Sequence, residues 1–140
     1  MSCDAQGFSG PNNVGEIPAC AIGRVARPDG LVVYIVICPE LYDRPGTPYV
    51  DGLGEPWPDN DVRFARLSLA AADIACGFGE SGWEPDNLHL NDWPSALAAG
   101  YLAWRGSRVP SVLTIHNLAI KVFSTRDGCA RWPSLIPPLT

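Results

Sequence analysis

Residues 31–38 read LVVYIVIC, an unbroken apolar run dominated by side chains that branch at Cβ. The run is short for a helix, and Asp29-Gly30 before it and Pro39 after it punctuate both ends. A strand covered on both faces is written this way, as in a parallel sheet. This one feature pulls the chain toward an α/β fold.

The segments that follow fit that reading. YDRPGTPYVDGLGEPWPDN offers turn after turn, with Pro45-Gly46 suited to a type II turn. In DNDVRFARLSLAAADIAC, Val62, Ala65, Leu69, Ala72 and Cys76 recur at helical spacing, and Phe64, Leu67, Ala71 and Ile74 widen the apolar face. The spacing predicts a mostly buried helix, capped by Asp59, favoured at its start by Asp61 and stopped by Gly77. NLHL reads as a second strand, residues 93–105 as a second helix ended by Gly106, and PSVLTIHN as a third strand. Strands alternating with helices describe βαβ units, and so a Rossmann-like parallel sheet with flanking helices. Residues 1–28 show no clear period and read as irregular.

Composition narrows the function classes. The chain has 140 residues, enough for one domain with a real core. A formal charge of −5, with scattered arginines and Lys121 as the single lysine, gives no footprint for nucleic acid or an anionic membrane. Cys3, Cys20, Cys38, Cys76 and Cys129 are odd in number and widely spaced, with no C-x-x-C. That pattern fits reduced thiols in the cytoplasm rather than a disulfide framework or a zinc site. The opening residues lack a signal peptide's basic flank and apolar run, and no stretch reaches the roughly 20 apolar residues of a spanning helix.

GFGESG at 77–82 matches G-x-G-x-x-G by letter, but it follows a helix and leads into a strand. A dinucleotide fingerprint needs the reverse order, so that phosphate meets free amides at a helix start. A helix stop plus a turn explains it better. Asp92, by contrast, ends a strand and opens a helix, where open α/β sheets bind ligands. Pro94 suits the first helical turn, where its missing N–H has no intrahelical partner. Capping alone also accounts for Asp92. His116 and Asn117 end the next strand and are expected at the same sheet edge, either as ligands or as satisfied structural residues. His89, inside its strand, reads as structural. Trp93 either stacks on a sugar face or fills a gap.

The strings ELYDRPGTPYVD, WPDNDVRFARLSLAAADIA, LHLNDWPSALAAGYLAWRG and PSVLTIHNLA occur here in order. In them the chain resembles bacterial glycogen synthases and plant starch synthases, over residues 29–119. Residues 120–140 diverge: the family continues HNLAYQG, whereas Ile120, Lys121 and Val122 stand here. The resemblance implies part of the amino-terminal domain of a GT-B glycosyltransferase. Such enzymes transfer glucose from ADP-glucose, with retention, to the non-reducing end of an α-1,4-glucan, without a metal or other cofactor.

On that resemblance the NDWP turn lies near the transferred glucose. Asp92 and the backbone carbonyl of Pro94 are then the catalytic candidates, and Trp93, His116 and Asn117 the substrate-binding ones. Many relatives carry His or Gln after Asp-Trp; Pro94 keeps a carbonyl there but no imidazole. Asn91 stands where the family often has His. The family's K-x-G-G-L phosphate loop does not occur before Leu31, and its nucleotide-binding domain has no counterpart in these residues. The chain therefore reads as a synthase fragment, inactive alone. The alternative is a non-catalytic α/β module that binds glucan weakly or packs against a partner.

Overall fold

The structure, a computed structural model, describes residues 5–9, 14–78 and 83–117. Three strands come first: β1 (Ala5–Ser9), β2 (Ala21–Ala26) and β3 (Val32–Ile37), joined as one antiparallel sheet in that order. A one-turn helix, α1 (Pro39–Tyr42), precedes the long α2 (Asn60–Ala75). Then come β4 (Leu88–Asn91), α3 (Trp93–Trp104) and β5 (Ser111–Thr114). Strands β4 and β5 pair in parallel, with Leu88 opposite Ser111 and Asn91 opposite Thr114, so α3 is the crossover of a βαβ unit.

The α/β class with a parallel sheet and helices holds, but LVVYIVIC is not in that sheet. It is a strand, and its partner is β2, antiparallel, with Ala21 opposite Ile37 and Ala26 opposite Val32. The reason lies in residues 27–31. Arg27 N–H donates to the Leu31 carbonyl at 2.8 Å, and Gly30 N–H to the Arg27 carbonyl at 3.0 Å. Gly30 takes φ 87°, which glycine adopts without a Cβ clash. So short a connection can only reverse the chain; a parallel partner needs a crossover of a dozen residues or more. Asp29-Gly30 is thus a hairpin turn as well as a strand boundary.

Two expectations fall with it. Residues 1–28 are not irregular throughout, since β1 and β2 lie there; the glycine and arginine in AIGRVA hide its strand character from a reading of periodicity. Nor is β3 covered on both faces by the described residues. Tyr34 and Val36 pack against the core, whereas Ile35 and Ile37 are 47% and 46% exposed.

Helix α2 is the centre of the core, as its spacing predicts: Val62, Phe64, Ala65, Leu69, Ala70, Ala72 and Ala75 are all buried. Its inner residues join Ile22 of β2, Cys38, Leu41 of α1, and Tyr101 and Leu102 of α3 in one apolar cluster. Asp59 holds the N-cap position but makes no side-chain cap bond. Its carboxylate pairs instead with Arg44, at 3.0 and 2.9 Å. Gly77, at φ 85°, follows the C-cap Cys76; the rest of GFGESG, 79–82, lies outside the described residues.

Two arginines of α2 are buried. Arg63 donates to the carbonyls of Leu41 and Pro48 and to Asn60 Oδ1, at 2.8–3.0 Å. Arg66, fully buried, donates to the Pro18 carbonyl at 3.0 Å and lies 3.8 Å from Asp73 Oδ2. Asp73 Oδ1 also meets Arg105, the C-cap of α3, at 2.5 Å. Burial pushes the Asp73 carboxyl up from its ordinary value, against the pull of Arg105 and Arg66. Through Arg66 and Asp73, α2 ties the segment before β2 to the end of α3.

Candidate active site at the mouth of the third helix

The β4–β5 ladder ends at Asn91 and Thr114, and Asp92 N–H continues it with a 2.8 Å bond to the Thr114 carbonyl. The chain then turns sharply. Asp92 has φ 56° and ψ −174°, and among the described residues it is the one non-glycine at positive φ. Glycine alone occupies this region comfortably; a residue with a Cβ costs on the order of 1–3 kcal/mol there.

Side chains hold the turn. Asp92 Oδ1 accepts the His116 N–H at 2.6 Å, across the sheet edge. Ser95 Oγ accepts the Asn91 N–H and donates to the Asn91 carbonyl, both at 2.8 Å. The two roles the sequence leaves open for Asp92 separate here: its backbone stands at the N-cap of α3, but its carboxylate makes no cap bond. The carboxylate belongs to the contact with His116.

His116 is exposed, and its Nε2 lies 3.1 Å from Asn91 Oδ1. A neutral imidazole that donates from Nε2 to Asn91 Oδ1 leaves Nδ1 as an acceptor. Asn117 follows, also exposed. His89 bonds Thr114 Oγ1 across the strands at 2.8 Å, as a structural residue of the ladder would.

Trp93 opens α3 half-buried, and its indole N–H is enclosed without an acceptor among the described residues. The Pro94 carbonyl, to which the family resemblance gives contact with the transferred glucose, accepts the Ser68 hydroxyl at 3.2 Å and so faces α2. Asp92 and His116 are therefore brought into direct contact, Trp93 and Asn117 are their neighbours in the chain, and the Pro94 carbonyl is bonded to Ser68. Sequence reasoning noted Asn91 without giving it a role and overlooked Ser95. The serine three residues after Asp92 in N-D-W-P-S is the signal for the latter, because that position reaches back over a helix start.

Pro94 also joins the mouth to a cleft of about 520 Å³, whose walls include Tyr34, Tyr42, Arg44, Arg63 and Phe64. Arg44 and Arg63 lie over the Trp57 ring, 5.3 and 5.2 Å from its centroid. Burial pushes the Tyr42 phenol well above its ordinary value and the Arg63 guanidinium down. A second cleft, of about 480 Å³, lies by Pro110, at the amino ends of β4 and β5 and away from the mouth. No helix among the described residues is long and apolar enough to cross a membrane.

The family model described as the starch synthase catalytic domain matches residues 4–133. The chain belongs to this family. The match reaches beyond 29–119 on both sides, taking in the residues of β1 and β2. Among starch synthase family members, a glycogen synthase of Pseudomonas aeruginosa is 61% identical over 103 residues, 74% of this chain and 20% of that protein. One of Pseudomonas fluorescens is 59% identical over 113 residues, 81% of this chain and 22% of the relative. Glycogen synthase 1 of Bradyrhizobium diazoefficiens is 52% identical over 116 residues, 83% and 25% respectively. The chain thus spans a quarter or less of the length of these curated relatives.

Proposed function

We propose that this chain is the acceptor-side segment of a cytoplasmic glycogen synthase, which transfers glucose from ADP-glucose to the non-reducing end of an α-1,4-glucan. The observation that carries this reading is the strained Asp92 turn. A backbone held in glycine's region, with its carboxylate fixed by the amide of a strand-end histidine, stores strain at the carboxyl ends of parallel strands. The relatives are named glycogen synthases, which gives that site its chemistry.

In this reading Asp92 Oδ2 and His116 Nδ1 accept hydroxyls of the transferred glucose, while Asn117 and Trp93 flank the sugar. An acceptor hydroxyl forms the new bond to the anomeric carbon as ADP departs. The departing charge needs cationic groups and amides already aimed at the phosphates. In the family a glycine-rich loop and a second domain supply these, and residues 1–140 contain neither motif. ADP-glucose and glucan are accordingly partners of the whole enzyme.

The test is a chimera. Residues 4–133 replace the matching segment of the Pseudomonas aeruginosa enzyme, and incorporation of labelled glucose into glycogen is measured. The chimera is expected to elongate glycogen, the 140-residue chain alone to incorporate nothing, and Asp92→Ala in the folded chimera to lose about 10²–10³ in rate. Equal elongation by the Asp92→Ala chimera would favour the non-catalytic glucan-binding module instead.

A further inference from the structure

The register of β2 on β3 has a consequence outside the site. Ala21 faces Ile37 in the last pair of the register, and Cys20 and Cys38 stand one residue further out on either side. Side chains on paired strands alternate faces together, and both cysteines turn to the inner face, into one apolar cluster, with Ile22 and Val36 as the adjoining inward pair. Directly opposed residues of an antiparallel pair have Cα atoms about 4.5–5.5 Å apart and a disulfide spans about 4.4–6.8 Å, so continuing the ladder by one pair beyond Ala21 and Ile37 would bring the two cysteines within reach. Cys38 Sγ lies 3.6 Å from the carbonyl oxygen of Ala19, the residue bonded to Cys20, so the sulfur already rests against its neighbour's backbone. Both are free thiols.

We propose that Cys20 and Cys38 form a thiol–disulfide exchange site, closed to an intramolecular disulfide by a small-molecule disulfide such as oxidised glutathione. The thiolate of one cysteine attacks a glutathione sulfur and releases one glutathione thiolate. The other cysteine then displaces the second glutathione. Two protein thiols are oxidised to one disulfide, one glutathione disulfide is reduced to two thiols, and those thiols take up the two protons that the cysteines give up. Burial pushes both thiols up from their ordinary value, and a charge on Cys20 would raise Cys38 further. Both side chains are buried, so exchange requires the sheet end to open to the oxidant. Once formed, the bond closes the loop containing the β2–β3 hairpin and fastens the start of α1 to β2.

The chain is incubated with oxidised glutathione, remaining thiols are alkylated, and tryptic peptides are mapped without reduction. Cys3 and Cys20 both precede Arg24, the first basic residue, so a Cys3→Ala background leaves one thiol in that peptide. The exposed Cys76 is the internal reference. Glutathione should mark Cys76 early, and the peptides of Cys20 and Cys38 should then appear cross-linked, two hydrogens lighter, with a raised urea midpoint in the oxidised chain. Cys20→Ser should abolish the cross-link. Alkylated Cys20 and Cys38 after Cys76 is fully converted, or a cross-link joining either cysteine to Cys76, would overturn the proposal; the unsubstituted chain, with Cys3 and Cys20 told apart by fragmenting their shared peptide, reads this outcome even if a variant fails to fold.

Discussion

The antiparallel sheet β1–β2–β3 and the parallel unit β4–α3–β5 use their hydrogen bonds for different ends. In the first, backbone pairs with backbone along the whole register, and inward side chains such as Ile22 and Val36 only fill space. In the second, the ladder stops after four pairs, and beyond it side chains take over the backbone's donors: Asp92 binds the His116 amide and Ser95 the Asn91 amide. A sheet that pairs with itself needs no particular residue at any one position. A sheet that ends in side-chain contacts commits those residues, and that is where chemistry can be placed.

The largest test of this contrast concerns whether the two regions are separate at all. Arg66 joins them, reaching Pro18 on one side and, with Asp73, Arg105 on the other. Arg66→Ala is expected to cost about 3–5 kcal/mol, because it strips a buried charge network of one member. Urea denaturation followed by both tryptophan fluorescence and far-UV circular dichroism measures it. Two separate transitions in the variant would show that the regions fold independently.

Next is alkali. Tyr101, on the inner face of α3, is 1% exposed, and burial pushes its phenol up to about 12. The folded chain then keeps this proton over pH 10–12 while the unfolded chain releases it, so stability is full below pH 10 and falls as pH rises through 12. The loss is on the order of 2 kcal/mol by pH 12. Stability curves at stepped pH should show it, and Tyr101→Phe should flatten that slope. An unchanged slope would mean that α3 does not share the core of the antiparallel sheet.

Smaller effects separate the regions by kind. Ser95→Ala removes the belt around Asn91 and is expected to cost about 1 kcal/mol, with a loss of transfer in the chimera that exceeds what the thermal shift explains. Ile37→Thr, on the open face of β3, should stay within about 0.5 kcal/mol and leave transfer unchanged. A larger loss from Ile37→Thr than from Ser95→Ala would reverse the assignment of roles.

What the sequence made legible follows the range of the interactions. Helix α2 declared itself because its period is local, and α3 because Asp-Trp-Pro and Gly106 mark its ends. The strand at 31–38 was legible as a strand but not in its partner, since an apolar run says nothing of what lies alongside it. That information sat in the Asp29-Gly30 turn. Strands β1 and β2 escaped because Gly7 and Gly23, paired across the sheet, break the alternation that marks a strand. At the candidate site, the nearness of Asp92 and His116 was legible from their place at strand ends. The Pro94 carbonyl could not be placed without knowing that Ser68, 26 residues earlier, would occupy it.

The conformation of Asp92 sets a conflict within the genetic code. Aspartate codons lie a single base from those of glycine, the residue that would relax φ 56° and ψ −174°. That change eases the turn yet deletes the carboxylate that grips His116. The most accessible relief for the backbone therefore breaks that contact, so selection for a comfortable turn and selection for the grip on His116 pull this position in opposite directions.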